Sequence, residues 1–127
     1  MASAEVTQAE INAIYDNRSK FGHMVLNRKD IGVPEGAIYI GRGSKWGNQW
    51  SHLPNSSARH KVWTREEAVV CHRRDLLHRV KTGVISISEL AQLADKVLVC
   101  YCSPELCHGH TLAAAAKWAQ KQLAKGS

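Results

Sequence analysis

Lys96-Val97-Leu98-Val99-Cys100-Tyr101-Cys102-Ser103-Pro104-Glu105-Leu106-Cys107-His108-Gly109-His110 is the stretch from which the rest of the chain is read. An apolar run ends in Cys100 and Cys102, a Ser-Pro turn follows, and Cys107 to His110 lead into an alanine-rich segment. The run reads as a strand over 97–102, and the segment from about Thr111 to Leu123 as a helix. Three of the four cysteines and two of the seven histidines fall within these residues. A strand-to-helix junction crowded with reactive side chains is where chemistry or a ligand is expected.

Working outward, the 127 residues suffice for one core, and 44% hydrophobic content is globular. No run nears the roughly 18 apolar residues of a membrane span, so no membrane partner is expected. The N-terminus carries neither a basic segment nor an apolar core, so no signal peptide is read. Clustered cysteines beside histidines, without a secretion signal, fit reduced thiols in the cytoplasm. The net charge of +6 favours a phosphate-rich partner. Residues 1–20 read as a short helix or loose arm, capped by Thr7 with Glu10 and carrying Ile11 and Ile14. Residues 21–124 form the single domain, and 125–127 a tail.

A first strand is expected over 21–28, a polar turn through Lys29 to Pro34, and a second strand at 37–40. Residues 49–62 lack periodicity and read as an exposed loop. Thr64 with Glu67 opens a helix to about Val80, whose Val69, Leu76, Leu77 and Val80 would face a sheet. His72, Arg73, Arg74 and Arg79 would lie elsewhere, and His52, His60, His72 and His78 on the surface. Ser86 with Glu89 opens a shorter helix. In the last helix Leu112, Ala115, Ala116, Ala119 and Leu123 share one side. This order predicts an α/β fold: a small three-layer, Rossmann-like domain with a mostly parallel sheet. Ligands of such sheets bind beyond the carboxyl ends of the strands. If the second and third strands are neighbours, the loops that follow them meet in one crevice.

The loop after the second strand is Gly41-Arg42-Gly43-Ser44-Lys45-Trp46-Gly47-Asn48. It lacks the Gly-Lys-Ser/Thr ending of a phosphate loop, and its glycine spacing misses the dinucleotide fingerprint. Gly41, Arg42, Gly43, Ser44 and Lys45 would hold phosphate, with Trp46 and Asn48 against a base or sugar. Trp50 is expected to plug the core.

The cysteine cluster leaves three readings open. A zinc site would draw on Cys102, Cys107, His108 and His110. A reactive thiol would be Cys107, acidified at a helix start, with His108 or His110 as acid–base partner and Gly109 leaving room for a ligand. An anion-binding helix start would leave the cysteines as buried small hydrophobes, as expected in any case for Cys71 and Cys100. Cys107, His108 and Glu105 are the candidate catalytic groups, and Glu105 is the sole carboxylate in either motif.

Ile38 to Asn48 and Cys100 to Gly109 together resemble the two signatures of a small family of bacterial and phage proteins classed as a domain of unknown function. The likeness spans roughly residues 24–120. Relatives usually continue the first signature as Gly-Asn-Pro-Phe, where this chain has Gln49-Trp50. An acidic residue often follows Cys-His-Gly, where this chain has His110. The resemblance implies that both loops belong to one site, for a nucleotide or related phosphorylated metabolite. For an enzyme of this kind, cleavage or transfer at a nucleoside or phosphate bond is the natural reaction class; the resemblance itself carries no activity. A nucleic-acid-binding module using the basic segment His72–Arg79, and a zinc-stabilised adaptor, are the competing functions.

Overall fold

The computed structural model describes residues 5–56, 58–102 and 104–126. The first residues of the expected arm, Ser103 of the Ser-Pro turn and Ser127 of the tail lie outside them. The element order is α1 (Gln8–Phe21), β1 (Val25–Asn27), α2 (Arg28–Ile31), β2 (Ile38–Tyr39), β3 (Trp50–Ser51), β4 (His60–Lys61), α3 (Arg65–Lys81), α4 (Ile87–Ala91), β5 (Leu98–Cys100) and α5 (His108–Gly126). This is an α/β fold with small parallel sheets. Strand β5 sits between β1 and β2 and runs parallel to both, pairing Leu98 with Val25 and Ile38.

Local chemistry accounts for the helix starts. Thr7 with Glu10, Thr64 with Glu67 and Ser86 with Glu89 each form a complete capping box, as their spacing predicts. The main core joins Val25, Ile40, Leu98 and Cys100 of the sheet region to Leu112, Ala116 and Ala119 of α5 and to Leu76, Ile85 and Leu90. The small alanine face lets α5 lie close to β1 and β5. Helix α1 packs on α3 and α5 through Ile14, which is buried with Val69, Val70 and Leu106. Among the described residues no helix is long and apolar enough to cross a membrane.

Several expectations change. The polar turn after β1 contains the one-turn α2, because the Asn27 side chain accepts from the Lys29 amide. The segment read as an exposed loop holds a parallel pair, β3 and β4, bonded from His60 N to Gln49 O and from Val62 N to Ser51 O. Trp50 stacks on His60 at 5.0 Å and packs on Val62, Ala68 and Cys71. On α3 the buried face is rotated from the one expected. Leu77 is exposed, while Val70 and His72 are buried. On α5, Leu123 is exposed as well.

Candidate functional site

Asn27 at the end of β1, Tyr39 and Gly41 at the end of β2, and Cys100 to Cys102 at the end of β5 line one crevice of about 560 Å³. Three parallel strands therefore deliver their carboxyl ends to the same hollow, where backbone groups and loop side chains are free to meet a ligand. Asn48, Trp50, Ser51, His52 and Arg65 close it from the other side.

Of the residues picked from the sequence, Gly41, Arg42, Asn48, Cys102, Glu105, Cys107 and His108 line this crevice. The rest of the glycine loop turns away from it. Gly43 takes φ +94°, and the Ser44 hydroxyl donates to Gly41 O at 2.6 Å, closing a tight turn. Lys45 pairs with Glu89, and Trp46 packs against the core. Asn48 is largely spoken for, donating to Ala68 O and accepting from Trp50 N. The Arg42 guanidinium donates to Asn48 O at 3.2 Å. Arg65 reaches Leu106 O at 3.4 Å.

Spacing gave no notice of the aromatic wall. Tyr101 is half exposed and meets Tyr39 edge to face at 6.3 Å, with the Arg28 guanidinium over both rings. The Tyr39 hydroxyl donates to Arg42 O, and Asn27 Nδ2 donates to Tyr101 O. The sequence signal was simple: both tyrosines occupy strand-end positions inside the two motifs.

Helix α5 starts at His108, three residues earlier than expected, because its first turn caps itself. The Gly109 amide donates to Cys107 Sγ at 3.4 Å, and the Cys107 amide donates to His110 Nδ1 at 3.1 Å. His110 thus does what Glu or Gln does at the third position of a capping box. Gly109 is not open to a ligand. A Cβ there would lie 2.7 Å from Ile40 Cδ1 and 2.8 Å from Val25 Cγ1, so glycine lets the helix touch the sheet.

Cys107 Sγ lies 3.2 Å from Cys100 Sγ and 3.5 Å from His108 Nδ1. Hydrogen bonds from Cys100 and Cys107 hold the Cys102 thiol far below its ordinary range, aided by His108 and Arg65. The same contacts push Cys107 well above its ordinary range, with burial adding to them. Of the three sulfurs, Cys102 is the one left half-buried at the crevice, while Cys107, which the helix-start position singles out, is buried.

His108 is buried and held neutral by that burial. Its Nε2 lies 2.7 Å from Ile40 O, which fixes the proton there and leaves Nδ1 bare toward Cys107. Burial also lowers His110, to about 4, with Arg18 and His108 opposing its charge. His72, expected at the surface, is buried against His108 at 5.0 Å between ring centroids and held strongly neutral, chiefly by burial. Burial, then Arg65, lowers His52. Among the described residues, no group of three or more His, Cys, Asp or Glu is arranged to hold a metal ion. In the expected zinc set, His110 Nδ1 is engaged by the Cys107 amide and His108 Nε2 by Ile40 O.

A family model described as "Domain of unknown function (DUF4326)" matches residues 25–118, which include both motifs and every strand. An uncharacterised 12.4 kDa protein of the nrdA-td intergenic region of Enterobacteria phage T4 is 33% identical over 76 residues. That match covers 60% of this chain and 63% of the phage protein, so the chain spans less than two thirds of that relative. No solved structure matches.

Proposed function

The chain belongs to the DUF4326 family, and from that premise we propose that it binds a nucleotide or related phosphorylated metabolite in the crevice between its two motifs. The observation that carries this reading is a hollow of about 560 Å³ lined by the rings of Tyr39 and Tyr101 and by the cations Arg42 and Arg65. A volume of this order suits a small ligand. Tyr101 offers a half-exposed ring on which a base can stack, and Arg42 and Arg65 supply charge for phosphate oxygens. The Rossmann-like reading of the sheet and a reducing cytoplasmic setting belong to the same proposal. Where a reaction follows, it is cleavage or transfer at a nucleoside or phosphate bond at the end lined by Cys102, Glu105, Cys107 and His108.

A small molecule is favoured over a nucleic acid because three groups of the basic segment His72–Arg79 are already engaged or buried. His72 is buried, Arg74 pairs with Glu10 and Arg79 with Asp75. The test is titration with a panel of nucleoside monophosphates, followed by tryptophan fluorescence, since Trp50 lines the hollow. Binding should weaken about tenfold in Arg42→Ala, roughly the 1.5 kcal/mol of one charge-assisted hydrogen bond. Absence of binding across the panel sinks the reading.

A further inference from the structure

The crevice floor carries chemistry that ligand binding does not use. Three thiols meet there, two of them fully buried and one facing the hollow. Cys107 Sγ donates to Cys100 Sγ at 3.2 Å, and both stand within hydrogen-bonding reach of Cys102. The bare Nδ1 of His108 stands 3.5 Å from Cys107 Sγ. Arg42 and Arg65 line the same hollow and favour an anionic guest.

We propose that Cys102 and Cys107 are a redox-active dithiol that reduces an anionic low-molecular-weight disulfide admitted to the crevice, with Cys102 attacking and Cys107 resolving. The proposal needs only the thiols and the hollow, and stands whether or not a nucleotide binds. In the first step Cys102 Sγ⁻ attacks one sulfur of the substrate. A mixed disulfide forms, the substrate S–S bond breaks, and the first thiolate departs with the electron pair. In the second, Cys107 passes its proton to His108 Nδ1 and attacks Cys102 Sγ. The Cys102–Cys107 bond forms, and the second thiolate leaves and takes the proton. Two electrons pass from the pair to the substrate, giving one thiol and one thiolate that takes its proton from water; a cellular dithiol returns the protein to its reduced form.

The order of events is built into the cluster. While Cys102 is a thiolate, its charge and its hydrogen bond help hold the proton on Cys107. Capping Cys102 as a mixed disulfide removes that charge, which frees Cys107 to ionise only when it has something to attack. Cys100, buried in the core, accepts the Cys107 S–H and takes no covalent part in this scheme.

The test is to treat the fully reduced full-length chain with glutathione disulfide and map the sulfurs. Cys100, Cys102 and Cys107 share one segment free of Lys and Arg, so cleavage after Tyr101 and after Glu105 is needed to separate them. The expected product is two hydrogens lighter, links Cys102 to Cys107, and has released two equivalents of glutathione. Cys107→Ser should stop at a single glutathione adduct on Cys102, and Cys100→Ala should still give the 102–107 link. Cys107 is buried, and the wild-type map decides the matter even where its substitution disturbs folding. A link from Cys100 to either partner, a lasting adduct on the wild type, or no reaction overturns the proposal. At pH 6 an ordinary thiol is under about 1% ionised, so iodoacetamide should modify Cys102 roughly tenfold faster than free cysteine. An equal or slower rate also overturns it. If nucleotides fail to bind while the 102–107 link forms, only the nucleotide reading falls.

Discussion

Gly109→Ala tests whether the Cys-His-Gly turn serves the ligand or the packing. The added methyl would sit 2.7 Å from Ile40 Cδ1 and 2.8 Å from Val25 Cγ1, against a carbon–carbon contact distance of about 3.5–4.0 Å. Ile40 Cδ1 is a chain end and can swing away. Val25 is β-branched with a stiff χ1, and both residues are fully buried, so helix α5 itself must back off. Overpacking of this kind costs about 1–3 kcal/mol, offset by at most ~1 kcal/mol of helix propensity, less in a first turn. The expected net loss is about 1–2 kcal/mol. Urea unfolding checks it: with a slope of about 2 kcal/mol/M, the midpoint should fall by roughly 0.5–1 M. Val25→Ala makes room, so the double variant should be more stable than the sum of the two losses by at least about 0.5 kcal/mol. An unchanged midpoint together with lost nucleotide affinity would refute the packing argument and return Gly109 to the ligand.

Three further outcomes follow from the geometry. His110 has its folded pKa lowered to about 4 from 6.5, so the unfolded chain takes its proton first. Stability is then complete above pH 6.5 and falls as pH drops toward 4; His110→Gln, which can keep the bond to the Cys107 amide, should flatten that slope by up to about 1.4 kcal/mol per pH unit. Glu10 is lowered from 4.5 to about 2, mainly by its hydrogen bond from Arg74, so its contribution is present above pH 4.5 and lost toward 2. Arg74→Met should weaken the acid dependence in that window, as read by thermal melts from pH 5 to 2. Lys45 pairs with Glu89 outside the crevice. Lys45→Ala should therefore change nucleotide affinity less than twofold, and a tenfold loss would put the whole glycine loop back at the phosphate.

The sequence by itself determined whatever rests on neighbours in the chain. The three capping boxes, the apolar runs that become β2 and β5, and the alanine face of α5 are local patterns, and each formed where its residues stand. It also marked the two loops that line the crevice, because both follow strand ends. Tertiary structure decided the rest, because it turns on residues far apart in sequence. The pairing of β3 with β4 needs Trp50 against His60, and no alternation announces it. The buried face of α3 was set by what packs on it, which drew in His72 and left Leu77 outside. Whether Cys102 or Cys107 carries the charge could not be read from a helix start alone. That depends on how the three sulfurs meet and which of them faces the crevice, which only the folded β5–α5 junction fixes.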